Sequence, residues 1–260
     1  MIFLLLMILL MIILIFFIVR IRRYKKDILT TFENGNVIVF GLKGCGKDLI
    51  FNYAINNRNE NCYSNIQYNE SLCTIKPISD FSVEPNTFEN VLNNNVVKCK
   101  KTNKEKTDYY ISDGGIYLPS QYSNTLCKKY PSLPIYYALS RHLTNSNIHI
   151  NSQYLGRVWD KLREQAAYYI LAKKSVKIFN WIITYYNIYD TYATALAKEE
   201  KIKNSALITR AETRARIEEQ AAKSGMIKSG FIIQNIKNIN YDSRYFHQVF
   251  YNNKSPDTTD

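Results

Sequence analysis

The sequence predicts an α/β fold, a mostly parallel sheet flanked by helices. Three observations predict it. A short apolar run at 36–40, bounded by Gly35 and Gly41, leads through a glycine loop straight into a helix-spaced segment at 47–57. Strand-like runs then alternate with helical ones as far as residue 190, the pattern of parallel strands joined by crossover helices. Finally, about 46% hydrophobic and 22% charged residues are ordinary for a chain with a real core.

Taken in order, the chain begins with IFLLLMILLMIILIFFIV at residues 2–19, without one polar side chain. As a helix this run rises about 27 Å, close to the roughly 30 Å of a bilayer's hydrocarbon core. Nothing basic precedes it, RIRRYKK follows it, and no small-residue cleavage site is present. Those features favour a transmembrane helix over a removed signal peptide. The positive-inside rule then puts the rest of the chain in the cytoplasm, as a single-pass membrane protein. Residues 20–34 read as a basic juxtamembrane linker.

The body spans 35–190. After the first strand and helix, CYSNI at 62–66 reads as a second strand. Residues 67–107 are irregular, with a short helix expected near 86–93. DYYISD at 108–113 is a third strand and 130–143 a helix following Pro131 and Pro134. NIHINSQ at 147–153 alternates as a fourth strand, and 157–166 is helical. The aromatic and β-branched stretch 167–190 predicts two more strands turning near Lys173–Lys174. Residues 191–225, rich in Ala, Glu, Lys and Arg and free of Gly and Pro until Gly225, predict a long polar helix. The tail, 226–260, holds a short apolar run at 230–233 and then YDSRYFHQVFY.

A net charge of +12 favours anionic partners, nucleic acid or anionic lipid. The five cysteines are irregularly spaced and lack a C-x-x-C, which argues against a disulfide framework or a zinc site. With three histidines, a histidine-rich metal centre is also disfavoured.

The glycine loop carries the chemistry. GLKGCGKD, from Gly41 to Asp48, fits G-x-x-x-x-G-K, with Asp where Ser or Thr is usual. Gly41, Gly44 and Gly46 let backbone N–H groups close on phosphate oxygens; Leu42, Lys43 and Cys45 fill the loop between them. Lys47 neutralises the terminal phosphates of a nucleotide such as ATP, and Leu49 follows as the helix begins. The context of strand before and helix after makes the body a P-loop NTPase domain. Asp48 can ligate Mg²⁺ but brings negative charge near the phosphates. YYISDGG offers Asp113 as the second carboxylate on the Mg²⁺ side, with Asp108 as a weaker alternative because it precedes its strand. Gly114 stands where many such enzymes carry a Glu. Gln153, closing NIHINSQ, is positioned to sense the γ-phosphate or orient water. Arg141, Arg157 and Arg163 are further phosphate-contact candidates.

The ordered segments GLKGCGKD, YYISDGG, LPIYYALSRH, NIHINSQ and RVWDKLREQA resemble the zonula occludens toxin-like proteins, the assembly and export ATPases of filamentous phages. The resemblance covers roughly 35–190. It implies Lys47 as the phosphate-binding lysine, Asp113 as the magnesium-side aspartate and Gln153 as the sensor. It also implies an oligomeric ring, phage single-stranded DNA as cargo, and coat and exit-channel proteins as partners, with residues 2–19 in the host inner membrane. The apolar segment precedes the ATPase body here, whereas family members often place their span after it.

Three functional classes are compatible with these residues. One is an ATPase driving virion assembly and DNA export. A second is a nucleotide-binding scaffold without turnover, suggested by Asp48 and Gly114. The third is a membrane-bound DNA translocase of the conjugation or chromosome-transfer type.

Overall fold

The structure is a computed structural model describing residues 2–58, 60–66, 68, 72–75, 108–131, 133–143, 146–205 and 226–239. Its centre is an eight-stranded sheet in the order β3-β2-β4-β5-β1-β6-β7-β8. The strands are β1 Val37–Phe40, β2 Cys62–Ser64, β3 Cys73–Ile75, β4 Asp108–Ile111, β5 Ile148–Ser152, β6 Tyr168–Ile178, β7 Trp181–Tyr189 and β8 Met226–Asn235. Pairing is parallel from β3 through to β6, and antiparallel for β6–β7 and β7–β8. The expected mostly parallel sheet is therefore present, with an antiparallel extension at one edge.

The sheet is covered on both faces, as parallel strands require. Period-2 alternation along β1 sends Val37 and Val39 into one core with Ile28, Phe32, Ile50 and Phe51. Ile38 and Phe40 enter the other, with Ile111, Leu155, Trp159 and Leu162. The helices are α1 Ile2–Glu33, α2 Lys47–Arg58, α3 Gly114–Tyr117, α4 Ser123–Lys129, α5 Leu133–Leu143, α6 Asp160–Arg163 and α7 Tyr192–Ser205. Pro134 sits in the first turn of α5, where its missing N–H costs nothing.

Several expectations need correction. Among the described residues no helix is long and apolar enough to cross a membrane, which overturns the single-pass anchor at residues 2–19 and with it the inner-membrane location. Side chains are described from Leu6 onward, and the apolar stretch from there to Val19 rises only about 20 Å before Arg20, Arg22 and Arg23. The stretch 20–34 is not a linker: α1 continues to Glu33 and buries Ile28 and Phe32 against the sheet. The Asn147 side chain fastens its end, donating to the carbonyls of Phe32 and Glu33 at 3.1 Å each.

The hairpin turn lies at Phe179–Asn180, not at Lys173–Lys174, because Ile178 and Trp181 are register partners. Phe179 takes a left-handed φ of 50°. Lys173 instead falls where the β6–β7 register shifts, a bulge that puts an extra residue into β6. The helix expected over 157–166 is a 3-10 turn, Leu155–Arg157, followed by the short α6. The apolar run at 230–233 belongs to a full strand, β8. It packs beside α1, with Lys228 Nζ 2.6 Å from Asp27 Oδ1 and the Phe231 ring edge-on to Tyr24 at 5.0 Å.

Of the long polar helix expected over 191–225, α7 is described as far as Ser205. Tyr189 and Met226 are register partners in adjacent strands, whereas one straight helix over 191–225 would end about 50 Å from its start. The helix expected near 86–93 and the YDSRYFHQVFY segment lie outside the described residues.

Candidate nucleotide-binding site

Parallel strands gather their following loops at one edge of the sheet, and ligands of open α/β sheets bind there. Beyond β1 the loop from Gly41 to Gly46 turns through three glycines with positive φ, 145°, 77° and 97° at Gly41, Gly44 and Gly46. The left-handed conformation is cheap only for glycine. At Gly46 space also forbids a side chain, since a Cβ would meet Ser175 Oγ at 2.1 Å and Thr184 Cγ2 at 2.9 Å. The loop is held from β6, where Ser175 Oγ donates to the Cys45 carbonyl at 3.0 Å. Burial pushes the Cys45 thiol up, more than the neighbouring Lys47 pulls it down, so the reactive thiolate is scarce there.

Lys47 opens α2 and is buried. Its ammonium donates to the carbonyls of Gly41 at 3.0 Å and Leu42 at 3.1 Å, folding back over its own loop. Leu42 and Lys43 are exposed on the loop. The carbonyl of Leu49 accepts from Gln234 of β8 at 2.8 Å, and Asn52 donates to the same Gln234 at 3.0 Å. The C-terminal strand therefore braces the helix that carries Lys47.

Asp48 points into a polar cluster. Its Oδ1 accepts from Asn151 Nδ2 at 2.6 Å, Tyr68 Oη at 3.1 Å and Ser112 Oγ at 3.3 Å. Tyr68 and Ser112 are also bonded to one another. Ser112 is fixed by Asn65, which accepts its N–H at 2.7 Å and donates to its carbonyl at 3.0 Å. Asp113 follows β4 with φ 52° and ψ 41°, and its N–H donates to Asn151 Oδ1 at 2.7 Å. Burial first, then the nearby Asp48 charge, raises the Asp113 carboxyl; Lys47 partly offsets them.

These residues meet because β5 lies between β1 and β4. Asn151, on β5, is thereby placed between the first carboxylate and the second. Sequence reading singled out Gln153 and passed over Asn151, Ser112, Tyr68 and Asn65. A signal existed for Asn151: a polar amide in a strand buried throughout is expensive unless it is bonded. Gln153 itself follows β5 and lines a cleft with Gly41, Leu42, Lys173 and Glu199. Glu199, from α7, is buried and accepts the Leu155 N–H at 2.7 Å, tying that loop to the helix.

The donor set fits a hard cation. Two carboxylates beside a phosphate-binding loop are what Mg²⁺ takes, alongside phosphate and water oxygens. Among the described residues no cluster of three or more His, Cys, Asp or Glu offers a self-sufficient metal cage. Gly114 admits no acidic side chain, because a Cβ would lie 2.2 Å from Ile150 Cγ2.

The alternative carboxylate, Asp108, starts β4 and so sits at the opposite edge. There it pairs with Arg58 and lies 3.3 Å from His149 Nε2, all three side chains being at most 3% exposed. Arg157 stacks over the Tyr154 ring at 4.7 Å and Arg163 over Tyr192 at 5.2 Å. The Arg141 side chain lies outside the described residues.

No family model and no curated protein matches the chain. Solved structures similar to it include the N-terminal domain of zonular occludens toxin from Neisseria meningitidis, at 12% identity and TM-score 0.45, covering 82% of this chain and 97% of that one. That structure bears the name of the family the motifs resemble. Another is the genome packaging NTPase of Sulfolobus turreted icosahedral virus 2 in complex with AMP, at 12% identity and TM-score 0.37, covering 80% and 95%. The DNA-packaging ATPase of Sulfolobus turreted icosahedral virus is similar at 13% identity and TM-score 0.38, covering 60% and 92%. At these identities and TM-scores the functional reading rests on the chain's own residues.

Proposed function

We propose that the chain binds ATP with Mg²⁺ at the Gly41–Leu49 loop and hydrolyses it to drive assembly and export of a filamentous phage particle with its single-stranded DNA. The observation that carries this reading is the bonded line Asp48–Asn151–Asp113 set beside Lys47. It places the Asp48 carboxylate of the P-loop helix and, through its backbone N–H, Asp113 after β4 at the edge where the phosphates belong.

In this reading the loop N–H groups and the α2 N-terminus bind phosphate oxygens. Lys47 leaves the Gly41 and Leu42 carbonyls to neutralise the terminal phosphates. Asp48 and Asp113 would hold the Mg²⁺, which when bound supplies charge neutralisation to the phosphates. Asn151 links the Asp48 carboxylate to the Asp113 backbone, and Gln153 faces the Gly41 side of the loop to sense its occupancy. A homo-oligomeric ring with coat and exit-channel partners follows from the motif resemblance. Gly114 favours a second reading, a nucleotide-binding scaffold without turnover, because no carboxylate can occupy that position to activate water.

The test is ATP hydrolysis by the full chain, with and without single-stranded DNA, beside Lys47→Ala. DNA-stimulated turnover that disappears in the variant is expected. Nucleotide binding with no turnover above the variant would replace the motor with the scaffold.

A further inference from the structure

The β6–β7 hairpin, with β8 paired alongside β7, outruns the strands on the β1 side of the sheet. Pairing of β6 with β1 ends at Leu171 opposite Phe40, yet β6 continues to Ile178. Because the two strands are parallel, this overhang projects from the same edge as the P-loop. From residue 167 to residue 189 the chain carries Lys173, Lys174 and Lys177 and no carboxylate. All three lysines are exposed. At the tip Phe179 is 89% exposed and Trp181 49%.

Cationic side chains flanking accessible aromatic rings suit a single strand of nucleic acid. The ammonium groups meet phosphates, and the rings stack on bases of any sequence. The root of the overhang is also in direct contact with the nucleotide loop. Ser175 bonds both the Cys45 carbonyl, at 3.0 Å, and Thr184 Oγ1, at 2.8 Å, and Gly46 packs against the pair with no room for a Cβ. A lipid-facing tip would need the rings and the lysines but not this junction.

We propose that the β6–β7 hairpin is a contact for single-stranded nucleic acid. Phe179 and Trp181 stack on bases, Lys174 and Lys177 pair with phosphates, and Ser175 transmits occupancy to the P-loop. Lys173 is left out because it lines the cleft with Gly41 and Glu199. The transmission rests on the nucleotide-binding reading of that loop; the binding itself does not.

The experiment uses the full chain and a fluorescein-labelled oligothymidylate, followed by anisotropy across a salt series. The double variant Phe179→Ala/Trp181→Ala is expected to bind about tenfold more weakly or worse. The double variant Lys174→Gln/Lys177→Gln is expected to flatten the dependence of log affinity on log salt by about 0.7 per lysine. Ser175→Ala should keep oligothymidylate affinity but lose the effect of oligothymidylate on affinity for a fluorescent ATP analogue. Both double variants should bind that analogue as the parent does, with unchanged circular dichroism. If no form binds the analogue, the nucleotide reading fails while the oligothymidylate results stand on their own. Absence of oligothymidylate binding by the parent, or unchanged affinity in both double variants, overturns the proposal. So does loss of co-sedimentation with phosphatidylglycerol vesicles in the aromatic variant while its oligothymidylate affinity is intact; that result assigns the tip to lipid.

Discussion

Asn151 donates its side-chain amide to Asp48 at 2.6 Å and accepts the backbone N–H of Asp113 at 2.7 Å. One strand residue thus links the carboxylate of an acid on α2 to the backbone of an acid that follows β4. Both bonds are part-buried, and both are lost if the amide is removed.

Asn151→Ala is therefore expected to weaken MgATP binding about tenfold and to cost roughly 1–3 kcal/mol of stability, the penalty of unsatisfied part-buried partners. Isothermal titration and urea unfolding read the two effects separately. An unchanged MgATP affinity would show that the acids are positioned by something else.

Asp48 places a negative charge where a hydroxyl is usual. Asp48→Asn keeps the shape and removes the charge. ATP without metal should then bind roughly tenfold more tightly, since a like charge near the phosphates is gone. The gain in affinity on adding Mg²⁺ should shrink. Titrations with and without a chelator decide this, and a gain that stays the same removes Asp48 from the metal's ligands.

Restoring the missing acid at Gly114 should fail for steric reasons. The Ile150 methyl stands 2.2 Å from where a Cβ would be. Both Gly114→Ala and Gly114→Glu are expected to lower stability by about 1–3 kcal/mol, and Gly114→Glu should not raise turnover. A thermal melt at parental temperature for either variant would contradict this packing.

At the far edge, burial alone would raise the Asp108 carboxyl, but His149, Arg58 and the Asn147 N–H together hold it well below the usual carboxylate range. A depressed carboxyl stabilises the fold above its unfolded value, about 3.9, and that contribution drains away as pH falls toward the folded value. Asp108→Ala should cost about 1–3 kcal/mol near neutrality, because the buried Arg58 loses its buried carboxylate and keeps only the exposed Glu60, at 2.6 Å. The difference from the parent should narrow below about pH 4. Denaturant unfolding at pH 7 and at acid pH checks both magnitude and direction.

What the sequence made legible was local. Val37–Phe40, the glycine loop and the start of α2 are contiguous, so their roles follow from glycine conformations and apolar spacing. Asp113 was visible as an acid ending an apolar strand. Asn151 was not, because its importance depends on β5 lying between β1 and β4, a fact of strand order that no short window contains. The turn at Phe179–Asn180 was hidden behind the polar pair Lys173–Lys174, which marks a bulge. The strand β8 was hidden by Lys228, Ser229 and Gly230, which an edge strand tolerates on its outer positions. The apolar N-terminal run was plain, but its use was misread. Its helix continues to bury Ile28 and Phe32, so part of α1 is core of the α/β body.

The pairing of Tyr189 with Met226 makes residues 190–225 an excursion that departs from and returns to one spot on the sheet. Its two ends are about one strand spacing apart, so its length is decoupled from the register of β7 and β8. Doubling such a loop costs only about 0.6 kcal/mol in closure entropy. The chain therefore has a built-in grafting point. Residues 206–225 could be exchanged there for a segment of different size and partner preference while α7, tied through Glu199 to the Leu155 N–H, and α2, braced through Gln234, kept their places.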